Sequence, residues 1–354
     1  MIPTAKDDPR RAFADLAGRV RQRVDAELEA CLDAMLDRAR RYGAPVAETV
    51  GALRALALRG GKRFRPTLLA ASYEACGGAG GADAVVMAGV ALELLQAYLL
   101  THDDWMDGDD IRRGGPSVHA ALRQAFGSPH MGATSAVLAG DLAMGFAQRV
   151  LLGLRFPPER LVDASVEFAR MQIDVVFGQL LDVHAEASDA AAVEQVHDLK
   201  TSSYTVRGPV LLGAVLAGAP TATRSALERF ADPLGIAFQL RDDLLGTFGD
   251  PAATGKPSDG DLRKGKRTAL VVELLTDPGA RALLDRVLGH EDADPADVDR
   301  VVSRMVESGA RARVEARLAA LLNEATTALD ATPLDPAARL SLHGAVLALG
   351  VREH

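Results

Sequence analysis

Five aspartates fall within the eight positions 103–110, and two arginines follow them almost at once. The segment reads DDWMDGDD and continues IRRGGP. Asp103 and Asp107 are four residues apart, so on an α-helix both carboxylates lie on one face, about 6 Å apart. Two facing carboxylates repel each other unless a proton or a cation lies between them. Oxygen ligands at this spacing suit Mg²⁺, which takes one or two carboxylates and completes its shell with water and phosphate oxygens.

A second aspartate pair, Asp242 and Asp243, ends another long apolar segment and precedes a loop that contains glycine. Two helices thus each end in an aspartate pair and continue into a basic loop, a coincidence that chance explains poorly. A solvated acidic helix end is the alternative, but acid at a helix C-terminus opposes the helix dipole. An EF-hand does not fit the first cluster, because Ile111 stands where that loop needs an oxygen ligand.

Three basic segments accompany the aspartates. GGKRFRP places three cations before Pro66, a suitable first helical residue, where they could hold an anion. The others are RRGG at 112–115 and the loop with GDLRKGKRT. Solvated surface charge explains each one alone equally well, but basic Gly-rich loops beside metal-type carboxylates are a recurring arrangement for phosphate esters. GDLRKGKRT is not a P-loop, because Arg267 replaces the metal-binding Ser or Thr and no strand precedes it.

The elements that must position these residues are helical. Leu and Ala recur at three- and four-residue spacing over long windows, whereas alternating apolar-polar runs are almost absent. Gly and Pro mark the helix ends. We predict one all-α domain over 1–354, with 1–10 flexible and 249–266 forming an active-site loop. The predicted helices cover 11–41, 46–59, 66–77, 82–107, 117–126, 130–153, 158–187, 190–217, 221–246, 266–275, 294–308, 310–331 and 335–349.

Composition narrows the class of protein. Hydrophobic residues make up 48% and charged residues 25%, as in globular proteins. The net charge of −8 argues against nucleic acid as a partner. Two cysteines are too few for a disulfide framework or a zinc site, and with an N-terminus unlike a signal peptide they indicate a reducing, cytoplasmic compartment. The apolar window 84–100 contains Glu93 and Gln96, so we expect a buried core helix and no membrane span.

Taken in order, these motifs resemble those of the trans-type prenyl diphosphate synthases, the polyprenyl synthetase family. They are GGKRFRP, DDWMD with GDDIRRGGPS behind it, LKTSSY, and FQLRDDLLG with GKPSDGDLRKGKRT, and the resemblance covers about residues 55–275. It implies an all-α isoprenoid-synthase fold with a deep central cavity, usually as a homodimer. It also implies head-to-tail condensation of isopentenyl diphosphate with an allylic diphosphate, assisted by about three Mg²⁺ ions held by the aspartate motifs.

The resemblance assigns roles residue by residue. The expected metal ligands are Asp103, Asp104, Asp107, Asp242 and Asp243, with Asp242 the main ligand of the second motif. The residues expected to hold isopentenyl diphosphate are Lys62, Arg65, Gln96 and Arg113. Those expected around the allylic diphosphate are Arg112, Lys200, Thr201, Gln239, Lys256 and Lys266. The catalytic set is Asp103, Asp107, Asp242, Lys200 and Lys256.

Some of these residues have a plainer interpretation. Gln96 lies nearly two turns before Asp103 and so shares its face, although taken alone it reads as a core amide. His102 is interpreted as structural, not as a catalytic base, since the resemblance implies that the departing diphosphate takes the proton. Asp109 and Asp110 could orient Arg112 and Arg113. Many family members carry His at the position of Gln96, and Gly246 replaces the third aspartate of the second motif.

Product length depends in this family on bulk below the first aspartate motif. Tyr98 and Leu99 lie five and four residues before Asp103, and the resemblance makes Tyr98 the floor for a geranylgeranyl (C20) product, with farnesyl (C15) as the alternative. Tyr98 is about 7 to 8 Å deeper but rotated about 140° from Asp103, so the side of the cavity is an alternative position. A class I terpene cyclase is disfavoured by an aromatic content of 4%. Intact aspartates disfavour a non-catalytic subunit.

Overall fold

Helices make up nearly all the regular structure that a computed structural model of the chain describes, over residues 8–79, 81–184, 190–249 and 259–350. In chain order they are α1 (Pro9–Arg40), α2 (Ala44–Leu58), α3 (Phe64–Ala75), α4 (Ala82–Met106), α5 (Val118–Phe126), α6 (Pro129–Leu152), α7 (Pro158–Val183), α8 (Ala190–Val196), a π-helix (His197–Arg207), α9 (Gly208–Ala217), α10 (Thr221–Phe248), α11 (Gly260–Arg263), α12 (Ala269–Leu274), α13 (Arg281–Leu284), α14 (Pro295–Glu307), α15 (Ala310–Asp330) and α16 (Pro336–Gly350). The two strands are β1 (Ile111–Arg112) and β2 (Gly115–Pro116).

Local capping explains where several helices begin. Asp8 accepts a hydrogen bond from the Arg10 N–H, and Pro9 follows at the first helical position. Ser128 caps α6 in the same way ahead of Pro129. Because α1 starts at Pro9, residues 9 and 10 are helical, whereas we expected 1–10 to be flexible; residues 1–7 lie outside the described part.

Besides the short helices α11 and α13, which the spacing does not predict, two features differ from the predicted helices. The expected helix 190–217 is divided, because residues 197–207 form a π-helix between α8 and α9. The segment behind the first aspartates forms a two-residue hairpin, with Ile111 opposite Pro116. Its central residues, Arg113 and Gly114, have φ of 52° and 71°. Positive φ at both central positions is the geometry of a type I′ turn, whose twist matches the flanking strands.

The chain divides into two compact units. The first comprises Met1–Glu167, Leu211–Ala219 and Leu334–Leu342, and the second comprises Phe168–Val210, Pro220–Pro333 and His343–His354. In the first unit α4 packs along α6 and α3, and in the second α10 packs against α15 and the π-helix. Each aspartate motif belongs to a different unit. The single domain expected from the sequence stays a prediction.

Two of the described helices, α4 and α6, are long and apolar enough to cross a membrane by length and composition alone. Of the most apolar window of α4, 72% is buried inside the protein, as expected for a core helix. The window of α6 is only 39% buried. Helices of soluble cores pass the same test, so these two are weak indicators of a membrane span.

Candidate active site

The first aspartate motif lies at the C-terminal end of α4. Asp107 caps the helix, and its N–H donates to the carbonyl oxygen of Asp103 over 2.8 Å. The two residues are therefore one turn apart at the end where the helix dipole is negative, as their spacing predicts. Carboxylates are disfavoured there unless a cation compensates them.

Asp104 has different surroundings from its neighbour Asp103. Its side chain is 0% exposed and accepts a hydrogen bond of 2.6 Å from Nε of Arg112. Burial raises the pKa of Asp104, and the Arg112 guanidinium opposes this rise. Arg112 also lies 3.5 Å from carboxylate oxygens of Asp103 and Asp109. This geometry favours Asp104 as the residue that holds Arg112; its assignment as a metal ligand stays a prediction.

The RRGG hairpin lies against the Gly-Gly loop that precedes α3. Arg113 donates from its terminal nitrogen to the carbonyl oxygen of Gly60 over 2.7 Å. Arg59 donates to the carbonyl oxygen of Arg112 over 2.9 Å. A β-carbon on Gly115 would meet the Arg59 guanidinium at 2.7 Å, so the Arg59 side chain lies directly against the hairpin backbone at this glycine. Two of the three predicted basic segments are therefore adjacent.

Arg63 in GGKRFRP is a buried anchor. Its Nε donates to Asp25 over 2.6 Å, and a terminal nitrogen pairs with the buried carboxylate of Glu93. Burial disfavours the guanidinium charge, but Glu93 and Asp25 together raise the pKa of Arg63. Arg63 also has φ of 48°, in the left-handed region. It ties the loop to α1 and α4, while Lys62 is exposed and Arg65 half-buried.

The guanidinium groups of Arg63, Arg65, Arg112 and Arg113 repel one another. Burial lowers the pKa of Arg113, and the nearby charges of Arg65, Arg63 and Arg112 lower it further against the effect of Glu93. A group of guanidinium ions in such surroundings gains stability when an anion binds. Gln96, predicted to take part, is buried on α4 in the same unit.

Asp110 and His102 have partners that the sequence did not indicate. Asp110 accepts from a terminal nitrogen of Arg123 over 2.7 Å and lies 3.2 Å from Nε2 of His119. It therefore joins the hairpin to α5 and does not orient Arg113. His102 lies 3.0 Å from the carbonyl oxygen of Val137 and packs on Tyr98, consistent with its structural interpretation.

The second aspartate motif ends α10 in the other unit. Asp242 is exposed, whereas Asp243 is buried. Asp243 accepts from Nε2 of Gln239 over 2.8 Å and from the N–H of Ala269 over 3.3 Å, and its carboxylate lies 3.5 Å from Nε2 of His197. Burial raises the pKa of Asp243, and His197 and Gln239 oppose the rise. Of the pair, Asp242 is the better placed to bind a ligand.

The π-helix carries Lys200 and Thr201. The side-chain nitrogen of Lys200 donates to the Asp182 carboxylate over 2.5 Å. The backbone of Lys200 packs on Gly178, where a β-carbon would lie 2.3 Å from the Lys200 backbone nitrogen. At the other end of the π-helix, Arg207 is surrounded by three carboxylates, those of Asp174, Asp198 and Asp232.

Two predicted residues belong to the third basic segment, Lys256 and Lys266. Lys256 lies outside the described residues, as do all of residues 250–258 of the predicted active-site loop, while residues 260–263 of that loop form the short helix α11. Lys266 follows α11, and its N–H donates to the carbonyl oxygen of Asp261 over 2.9 Å. Within the described ranges, no group of three or more His, Cys, Asp or Glu side chains could hold a metal ion. A metal at either aspartate pair therefore needs ligands from elsewhere, such as water or phosphate oxygens.

Known proteins show which family carries these motifs. The sequence profile of the polyprenyl synthetase family matches residues 47–305, well over half of the chain. The chain belongs to the polyprenyl synthetase family. It is accordingly a prenyltransferase, and the family, enzyme class and all-α fold expected from the motifs are confirmed.

Relatives in this family make prenyl diphosphates of several lengths. The chain is 36% identical to a geranylgeranyl diphosphate synthase of Mycobacterium tuberculosis, over 74% of this chain and 75% of that protein. It is 32% identical to a geranylfarnesyl diphosphate synthase of Aeropyrum pernix, over 77% and 84%. A geranylgeranyl pyrophosphate synthase of Corynebacterium glutamicum, solved with isoprenyl diphosphate and magnesium, superposes with a TM-score of 0.87 at 34% identity, covering 96% of this chain and 99% of its own.

Proposed function

We propose that this polyprenyl synthetase joins isopentenyl diphosphate head-to-tail to an allylic diphosphate and releases a short-chain all-trans prenyl diphosphate. One observation carries the proposal. Carboxylates at the end of α4 lie directly before a hairpin whose Arg113 donates a hydrogen bond to the Gly-Gly loop, near the charges of Arg63 and Arg65. Carboxylates beside closely spaced arginines suit a diphosphate ligand. The arginines bind its oxygens, and the carboxylates bind the metal that accompanies it.

Membership in the family implies a divalent metal, and we assign Mg²⁺, about three ions, to the aspartate motifs. The donors fit this ion. Asp103 and Asp107 offer carboxylate oxygens one turn apart at the negative end of a helix, and Asp242 is exposed at the end of α10. Mg²⁺, when bound, supplies positive charge that compensates the diphosphate as it leaves.

The side chains of the chain bind and orient the two substrates. We assign isopentenyl diphosphate to Lys62, Arg65, Gln96 and Arg113, and the allylic diphosphate to Arg112, Lys200, Thr201, Gln239, Lys256 and Lys266. The allylic C–O bond breaks, and its electron pair leaves with the diphosphate. The isopentenyl double bond then forms the new C–C bond to the allylic cation, and a proton is lost to restore the double bond. The released diphosphate accepts that proton, so no side-chain base is assigned.

The product we propose is the C20 geranylgeranyl diphosphate, with C15 farnesyl diphosphate as the alternative. Relatives that make geranylgeranyl diphosphate, at 36% and 34% identity, support this length. The buried Tyr98 on α4 supports it as well, because an aromatic ring five residues before Asp103 can close the space for a growing chain. Leu99 is the other chain-length residue.

The decisive experiment incubates the pure protein with Mg²⁺, isopentenyl diphosphate and dimethylallyl, geranyl or farnesyl diphosphate, and resolves the products by mass spectrometry. We expect linear C20 diphosphate, no turnover with EDTA and recovery on adding Mg²⁺. Cyclic hydrocarbons, or no elongation of any primer, would overturn the proposal.

We also propose a homodimer in the cytoplasm. Helix α6 exposes Leu138, Leu142 and Leu152, and α7 exposes a stripe of large apolar side chains, namely Val162, Val166, Ile173, Phe177 and Leu180. Monomeric soluble proteins rarely leave so many apolar side chains exposed on long helices. A second copy of the chain is the partner that we assign to them.

A further inference from the structure

We infer that His102 and Gly140 hold the Tyr98 ring in place and thereby set the length of the product, an inference that rests on the proposed function. Tyr98 and His102 are one turn apart on α4, and their rings meet edge to face with centroids 4.9 Å apart and planes at 70°. Tyr98 is 8% exposed. The ring is therefore buried, and on its own helix it packs edge to face on His102.

His102 is in turn fixed by α6, the helix that packs along α4. Nε2 of His102 lies 3.0 Å from the carbonyl oxygen of Val137. A carbonyl oxygen only accepts hydrogen bonds, so Nε2 carries the proton in this contact. The bond orients the imidazole ring across the interface between the two helices.

Gly140 provides the space that this orientation needs. A β-carbon at Gly140 would lie 2.2 Å from Nε2 and 2.5 Å from Cδ2 of His102, closer than any real contact. The helical backbone of α6 does not itself require glycine here, so the requirement is steric. Any larger residue at this position must displace the imidazole, and with it the contact that holds the Tyr98 ring.

These contacts form a chain from α6 to the proposed product floor. Gly140 admits His102, Val137 orients it, and His102 packs on Tyr98. A ring held in one orientation acts as a fixed wall, whereas a ring that has lost its neighbour can turn and let the prenyl chain grow further. His102 is a positioning residue, since it acts through Tyr98 and touches none of the reacting atoms.

The test measures the products of Gly140→Ala by mass spectrometry, with dimethylallyl and isopentenyl diphosphates and Mg²⁺. We expect the main product to lengthen by at least one C5 unit, with kcat within about tenfold of the unmodified protein. Gly51→Ala is the matched control, because Gly51 is also helical but a β-carbon there meets nothing within 4 Å. It should leave the product unchanged. An unchanged or shorter product from Gly140→Ala overturns the inference.

A double-mutant comparison tests the order of the contacts. Tyr98→Ala should lengthen the product by at least one C5 unit, and adding Gly140→Ala should lengthen it no further, because both changes remove the same wall. Additional lengthening in the double variant would show independent effects and contradict the inference. If Gly140→Ala does not fold, His102→Asn removes the ring while keeping an N–H donor, and should also lengthen the product; an unchanged product there overturns the inference.

The controls separate this inference from the proposed function. If the unmodified protein makes no prenyl diphosphate, the proposed function fails and the inference fails with it. If it makes the C20 or C15 product but Gly140→Ala and His102→Asn make the same one, only the inference fails.

Discussion

Asp103 and Asp104 are neighbours in the chain, yet one is partly exposed and the other is buried against Arg112. The same division recurs in the second pair, where Asp242 is exposed and Asp243 is held by Gln239 and Ala269. Successive helical residues point about 100° apart, so adjacent carboxylates cannot share the same surroundings. In each pair one carboxylate is the more exposed, while the other is buried and fixes the surrounding protein groups.

We predict that Asp103→Asn lowers kcat by about 10³-fold, because removing the carboxylate charge removes a proposed Mg²⁺ ligand. Steady-state kinetics over a range of Mg²⁺ concentrations measure the effect. Asp83→Asn is the control, since Asp83 lies on the same helix with its side chain 97% exposed. A kcat for Asp103→Asn within tenfold of the control would refute the assignment of Asp103.

Arg63 shows how a cation in a binding motif can serve stability. We predict that Arg63→Met lowers the free energy of unfolding by about 3 to 5 kcal/mol, because it leaves Glu93 charged and buried without its partner. Urea denaturation followed by circular dichroism measures this loss. Arg54→Met is the matched control: Arg54 also pairs with α1 carboxylates, but these are exposed, so the loss should stay below about 1 kcal/mol. Equal losses in the two variants would contradict a buried anchor.

Among the elements, the π-helix departs most from the regular helical pattern. Its five-residue hydrogen-bond spacing turns Lys200 and Thr201 to directions that an α-helix would not provide. Such a segment needs support from its neighbours, and Arg207 supplies it by pairing with carboxylates on α7, the π-helix itself and α10. Burial raises the pKa of Asp232, the α10 partner, against the effect of Arg207. The three carboxylates tolerate one another because this guanidinium lies among them.

We predict that Arg207→Met destabilises this element, with a loss of about 2 to 3 kcal/mol, because three neighbouring carboxylates lose their shared cation. In this variant the rate of amide hydrogen exchange should increase more at residues 197–207 than in α4. Arg170→Met removes a more exposed pair with Glu228 and serves as the control, with a loss of about 1 kcal/mol or less. Unchanged exchange in the π-helix of Arg207→Met would show that the cluster does not support it.

At the scale of the whole molecule, the exposed apolar side chains of α6 and α7 lead to a prediction about assembly. Light scattering should give the mass of a dimer, because burying these side chains removes apolar area from water. The variant Leu138→Glu/Leu142→Glu should be monomeric, since Leu138 is 55% exposed in the single chain and would carry charge into the interface.

Val306→Glu is the control for this prediction. Val306 is 52% exposed on α14, away from the two helices in sequence, and its replacement should leave the dimer intact. A monomeric unmodified protein, or a dimer that survives both leucine replacements, would contradict the proposed face.

Some elements of this fold could be predicted from spacing alone. The three- and four-residue period of Leu and Ala predicted the long helices, and four-residue spacing predicted that Asp103 and Asp107 share a turn. The same period could not predict the π-helix, since Leu and Ala spacing does not distinguish an i→i+5 segment from its α-helical neighbours. It also missed the hairpin, which depends on positive φ at Arg113 and Gly114.

The sequence by itself determined the family and the all-α fold class. Motif order is read directly from the chain, and helical spacing reflects the local geometry of the backbone. Tertiary structure decided what each charge contacts. In the folded chain Arg63 pairs with the buried Glu93, Arg112 pairs with Asp104, and His119 lies beside Asp110. His102 packs against α6 at Gly140. Burial and pairing depend on which other element packs against a residue, and helical spacing does not reveal that neighbour, whether it lies eight residues away, as Arg112 does from Asp104, or thirty, as Glu93 does from Arg63.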